Sequence, residues 1–460
     1  MKQLIILAVF LSAFFSSFSQ KSLNEKEIKE IKTAYQSDNS YLKAVTNAVS
    51  NNTIQNLALN RQNIGKFDHE FKYKVSVKGI TNQKSSGRCW MFTSLNVIRP
   101  KAMQTLKLPL FEYSENYLYF WDIFEKSNLF LESIIETRKL KTDNREVEWL
   151  FKNVVGDGGV WSSFTNLADK YGLVPKEVMP ETHSSENTRV MIKLIRRKLR
   201  GDALHLRLMK GTDDILRKAK LNSLKDIYKM LCINLGEPPT EFLWRYTDKN
   251  GILTPYKKYT PKSFMKASLG NIDYSDYIML MDDPTKEYYK LYEIQKDRNV
   301  IEGENWTFIN LPAKEIKKYA LKSIQNNKAM YFSCDVGKQL NKDEGLLDTE
   351  NYDYESLFGV KFDMNKKERI LSHESGSTHG MALVGADVDQ SGKITKWLLE
   401  NSWGKSSGHN GYLTMTDRWF DEYMFRVVIL KQFINEQTLK ILKQKPIVLP
   451  PWDPMFSEDL

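Results

Sequence analysis

Gln83-Lys84-Ser85-Ser86-Gly87-Arg88-Cys89-Trp90 sets a thiol six residues after a side-chain amide, and the residues that follow say where that thiol stands. From Trp90 onward Phe92, Leu95 and Ile98 recur at helical spacing, so the sequence predicts a helix opening at Cys89. The first turn of a helix carries N–H groups without an intrahelical acceptor and the positive end of the helix dipole. A thiolate is favoured over a thiol there. Gln83 can donate a neutral N–H to an oxyanion forming on a carbonyl that the sulfur attacks. Pro100 is expected to kink or end the helix soon afterwards.

A nucleophilic cysteine needs a base and something to hold it. Thr378-His379-Gly380-Met381-Ala382-Leu383-Val384-Gly385 puts a histidine at the head of an apolar, strand-like run. Lys396-Trp397-Leu398-Leu399-Glu400-Asn401-Ser402-Trp403-Gly404 ends a second such run with an asparagine. Gln, Cys, His and Asn thus make up the set that a thiolate–imidazolium site needs: the ring takes the thiol proton and the amide oxygen fixes the ring. His373 lies six residues before His379 but in a polar stretch, so His379 is the expected base. His69, His183, His205, His373 and His409 form no pair at metal-ligand spacing, and no metal site is expected. No P-loop or dinucleotide glycine signature occurs, so no cofactor is expected either.

These motifs make the chain resemble the bleomycin hydrolase and aminopeptidase C branch of the papain-like cysteine peptidases. The likeness extends through residues 114–121 (SENYLYFW), 157–161 (DGGVW), 170–176 (KYGLVPK), 334–338 (CDVGK), 411–420 (GYLTMTDRWF) and 449–455 (LPPWDPM). One departure is Gly380 after His379, where the family more often carries alanine. The resemblance implies an α+β fold: a papain-like two-subdomain peptidase with a large helical insertion and a C-terminal arm. It implies a thiol-dependent aminopeptidase acting on peptides with free N-termini through an acyl-enzyme at Cys89. His379 would be the base, Asn401 its orienting group and Gln83 an oxyanion donor, with Trp90 and Trp403 in support. Gly158 and Gly159 would hold an extended substrate, since adjacent glycines let another backbone approach closely. The carboxylate of Leu460 would face the substrate's ammonium, and six subunits would close into a ring.

Length and composition fit this reading. With 460 residues, 41% hydrophobic and 27% charged, the chain has material for one large domain or two to three smaller ones. Residues 1–19 read as a secretory signal: Lys2, an apolar run over 4–15 too short to span a bilayer, and small residues before a cut near Ser19-Gln20. The expected product is exported, periplasmic or secreted, with no membrane span. Residues 20–67 form a polar, partly helical arm, by resemblance an N-terminal hook, with helix over 25–35. Residues 68–185 and 301–435 are the helical and β parts of the catalytic domain. Cys89 and His379 are separated by 290 positions, so an insertion is implied, placed at 186–300 and read as helical and oligomerising. Residues 436–460 form the arm. The aromatic residues of 111–138, including Tyr113, Tyr117, Phe120 and Trp121, read as core packed on the Cys89 helix. Cys232 and Cys334 are expected to be buried thiols.

Two other functions stay open. One is a papain-like endopeptidase. The other is a basic ring that binds nucleic acid, with peptidase activity secondary, for which the formal charge of +10 is the support. The Lys- and Arg-dense stretch 191–229 lacks interleaved aromatics, which favours a solvated helix face over a nucleic-acid surface.

Overall fold

The computed structural model describes residues 21–35 and 39–455. The chain divides into two compact units, one of residues 1–59 with 353–360, the other of 60–352 with 361–460. In the first, Asn24 closes a capping box on the helix Glu25–Ala34, and Asn39 caps Ser40–Asn51. Ile54–Ala58 and Tyr354–Phe358 complete it, with the Asp353 N–H donating to the Ala58 carbonyl at 2.7 Å. Residues 47–56, which are rich in asparagine, are therefore largely helical.

The second unit holds a helical layer and a broad sheet. The helix Cys89–Leu106 is buried on most sides through Trp90, Phe92, Leu95, Ile98, Ala102 and Leu106, and it runs through Pro100 without ending. Proline deprives one upstream carbonyl of its donor, a cost of about 3 kcal/mol or more. Burying large apolar side chains returns roughly 1.5–3 kcal/mol each, so packing outweighs the break. The helix stops at Lys107, in the left-handed region at φ 55°. Ser114 caps Glu115–Glu136, whose Tyr117, Phe120, Ile123, Leu131 and Ile134 enter the same core. Trp161–Tyr171 ends at Gly172, at φ 76°, where a Cβ would stand 2.5 Å from the backbone of Pro261 and Lys262.

The sheet has twelve strands among the described residues. Along it run Ile447–Leu449, Lys290–Ile294, Thr307–Asn310, Tyr277–Met281, Met424–Leu430, Met330–Cys334, His379–Val388, Ile394–Glu400, Tyr412–Thr416, Leu346–Leu347 and Leu340–Asn341, while Tyr73–Lys74 pairs with His379–Val388 from outside this order. His379–Val388 is central. It is flanked antiparallel by Met330–Cys334 and Ile394–Glu400, which explains its unbroken apolar run. The interval 186–300 contains the expected helices Arg189–Leu208, Asp213–Leu235 and Pro261–Leu269, but it also supplies Tyr277–Met281 and Lys290–Ile294 to the sheet.

A cleft of about 780 Å³ is lined by Trp149, Val155 and Gly156 from the helical layer and by Asp297, Ser375 and Gly376 opposite. Pro451, Trp452 and Pro454 line it too. The C-terminal segment is fastened beside it. Ile447–Leu449 pairs parallel with Lys290–Ile294, Asp453 meets Lys286 at 3.0 Å, the Arg145 guanidinium lies 4.7 Å from the Trp452 ring, and Met455 is buried.

Candidate active site

Cys89 is the first residue of its helix, with partial access to solvent. The turn before it is pinned from below. Arg88 is fully buried between the rings of Phe92 and Tyr119 and forks onto both carboxylate oxygens of Glu181 at 3.1 and 2.8 Å. After it, the Trp90 indole N–H donates to the Asp157 carbonyl at 2.6 Å. Cys89 thus sits between two fixed side chains.

His379 opens its strand opposite Cys334 and faces Cys89, to which its ring is hydrogen-bonded. Its Nε2–H donates to Asn401 Oδ1 at 2.8 Å, which leaves Nδ1 for the sulfur. The same Oδ1 accepts from the Ser402 N–H at 2.8 Å, so the amide is oriented from two sides. The Trp403 ring lies 4.8 Å from the His379 ring and, with 6% exposure at His379 and 1% at Asn401, closes the contact from water. Burial alone would push the Cys89 thiol up. The charge and hydrogen bond of His379, with N–H groups of Gly380 and Trp90, outweigh it and hold the thiol below its ordinary range. Burial would likewise lower His379, but the charge and hydrogen bond of Cys89 and the bond to Asn401 raise it above the usual imidazole range. Both shifts favour the thiolate–imidazolium form.

Gln83 is 6% exposed and fixed by hydrogen bonds to Ser402 and Ser86. Its backbone N–H donates to the Ser402 carbonyl at 2.8 Å, its Oε1 accepts from Ser402 Oγ at 2.6 Å, and its Nε2 donates to the Ser86 carbonyl at 2.7 Å. An amide nitrogen has two hydrogens, so one remains for an oxyanion. Ser402 therefore links Asn401 to Gln83, a role that sequence reading does not assign; only its place inside the Asn-Ser-Trp motif signals it.

The Gly158–Gly159 tract is held from two sides. The carbonyls of Gly156 and Gly158 both accept from Lys126 Nζ, at 3.0 and 2.5 Å, so the Gly158 oxygen is already engaged. Gly159 backs onto Trp90, where a Cβ would stand 2.6 Å from the indole. Asp157 is a hub that the sequence does not reveal: its carboxylate accepts from the Gly87 N–H at 3.0 Å, the Tyr119 hydroxyl at 2.7 Å and the Thr188 hydroxyl. At Gly380 a Cβ would lie 3.3 Å from the Tyr331 hydroxyl oxygen, a tight but passable fit. His373 is exposed, on the wall of the large cleft. Cys334 is buried, whereas Cys232 is partly exposed, and all three thiols are free. Leu460 lies outside the described residues.

Residues 22–456 match the family model described as Peptidase C1-like. The chain belongs to the Peptidase C1-like family. Within it, this cysteine peptidase is 37% identical to bleomycin hydrolase of Homo sapiens over 457 residues, 95% of this chain and 99% of that one. It is 37% identical to aminopeptidase C of Lactococcus lactis subsp. cremoris over 422 residues, covering 91% and 95% of the two chains. The crystal structure of PepW from Lactobacillus rhamnosis superposes with a TM-score of 0.91 at 37% identity, over 94% of this chain and 98% of that one. The mixed helix-and-sheet fold is that of the papain-like peptidases.

Proposed function

We propose that the protein is a thiol-dependent aminopeptidase of the bleomycin hydrolase kind, with Cys89 as nucleophile. The observation that carries the chemistry is the buried His379–Asn401 contact beside a depressed Cys89 thiol. The thiolate attacks the carbonyl of the first residue, and the oxyanion is met by the Cys89 N–H and the second Nε2–H of Gln83. The His379 imidazolium gives its proton to the departing amine. His379 then takes a proton from water as that water attacks the thioester, and the freed residue leaves with Cys89 restored.

Restriction to N-termini is supported by the C-terminal segment, which lines the large cleft through Pro451, Trp452 and Pro454 and is anchored as far as Met455. Five residues follow. The carboxylate of Leu460 is the proposed partner of the substrate ammonium; at 4 Å and an effective dielectric of 20 such a pair is worth on the order of 4 kcal/mol before desolvation. The experiment is hydrolysis of a leucyl amide and its N-acetyl derivative by the full chain and by a chain ending at Met455. The full chain should cleave only the free amine, and truncation should raise cleavage of the acetylated substrate. Equal selectivity in both would remove the arm from the account.

Assembly into a hexamer is supported by the apolar residues that the insertion leaves exposed, among them Leu194, Leu204, Leu208, Leu221 and Ile233. Export rests on the leader-like residues 1–19, which lie outside the described residues. No helix among the described residues is long and apolar enough to cross a membrane. Nucleic-acid binding has net charge alone behind it.

A further inference from the structure

Residues 84–87, which lead into Cys89, and Asp157, which leads into Gly158–Gly159, are two walls of a second cavity of about 510 Å³. The third wall is the head of the helix Arg189–Leu208. These walls are tied together. The Gly87 N–H and the Thr188 hydroxyl donate to the same Asp157 oxygen, and the Ser85 N–H donates to the Glu186 carbonyl at 2.9 Å. Lys84 is held at φ 53° by its N–H on Asn82 Oδ1 at 3.0 Å.

Charge in this cavity is one-sided. Lys84, Arg189 and Arg196 line it against a single acid, Asp157. Asp157 is occupied by three neutral donors, Gly87, Tyr119 and Thr188, and none of the three cations is ion-paired among the described residues. Arg196 Nε donates to the Val155 carbonyl at 2.5 Å, which anchors the stem of its guanidinium beside the opening. Ile192 supplies an apolar surface for methylene groups.

The geometry points to this cavity as the seat of the substrate's first side chain, with a preference there for glutamate over its neutral and basic counterparts. The inference rests on the aminopeptidase reading, in which the residue that acylates Cys89 is the N-terminal one. The cavity is bounded by the loop that ends two residues before Cys89 and by Asp157, which adjoins the glycine tract, so it is the pocket on the page set beside the residue that acylates Cys89. A carboxylate reaching Lys84 and Arg189, both exposed, is attracted by two unpaired cations, whereas a lysine ammonium meets like charge.

The experiment measures kcat/KM of the full chain on fluorogenic amides of glutamate, glutamine, leucine and lysine at low and high salt. Glutamate should exceed glutamine about fivefold or more at low salt, lysine should be poorest, and the gap should narrow as salt rises. In Arg189→Glu and in Lys84→Glu the glutamate-to-lysine ratio should fall by about tenfold or more, while stoichiometric alkylation of Cys89 shows each variant folded with its nucleophile in place. If leucine is released but glutamate gains nothing over glutamine, or if neither charge reversal moves the ratio, the inference is overturned and the aminopeptidase reading stands. If no amide with a free amine is cleaved, both fall.

Discussion

Arg99 Nη2 lies 2.6 Å from Glu400 Oε1, and this buried pair clamps the helix that begins at Cys89 to the strand that delivers Asn401. Arg99 also donates to Asn96 Oδ1 at 3.0 Å and to the Gly79 carbonyl at 3.1 Å, so the cation is better satisfied than the acid. Burial pushes Glu400 up to about 7 against the pull of Arg99.

A stability prediction follows from the sign of that shift. A carboxyl whose folded pKa exceeds its unfolded value binds its proton more tightly in the folded state, so its favourable contribution is lost as pH rises from about 4.5 to about 7. In urea unfolding at pH 5, 6, 7 and 8, the stability of wild type relative to Glu400→Gln should decline by on the order of 3 kcal/mol across that window and then level off. A gap that is constant with pH, or that widens, contradicts the buried acid.

The proposed Cys89–His379 pair predicts a bell-shaped dependence of kcat/KM on pH. The acid limb should fall below the ordinary thiol range and the alkaline limb above the ordinary imidazole range, as apparent values of the pair. Asn401→Ala removes an acceptor that helps hold the imidazolium proton, so turnover should drop by about tenfold or more and the alkaline limb should move down. A wild-type rate that climbs to the free-thiol pKa near 8.5 speaks against the ion pair.

Gly159→Ala tests the seat of Cys89 from behind. The added methyl meets the Trp90 indole at 2.6 Å, and Trp90 adjoins Cys89, so relief must move one of them. Thermal unfolding should show a loss of about 1–3 kcal/mol, with a fall in kcat larger than any change in KM. A variant with unchanged kcat would mean that Trp90 does not position the thiol.

The residues proposed to do the chemistry are legible in the sequence because each sits in a short local pattern: Cys89 at the start of helical spacing, His379 and Asn401 at the ends of apolar runs. Pro100 does not end its helix because a local rule about helix breaking is weaker than the burial of Ile98, Ala102 and Leu106 around it. Tyr277–Met281 and Lys290–Ile294 are hidden in the interval read as helical, since stretches of five residues are too short to separate strand from helix by period alone. The clamp between Arg99 and Glu400 joins positions 301 residues apart, and the Asp157 hub draws donors from three elements; neither exists until the fold forms.

Cys89→Ala is the most direct test of the whole account. Single-turnover and steady-state hydrolysis of a leucyl amide should drop at least a thousandfold, with an unchanged melting curve, and His379→Ala should cost as much without the two losses adding, since both act as one unit at the chemical step. A Cys89→Ala enzyme that kept a tenth of wild-type turnover would contradict the assignment of the nucleophile and every step built on it.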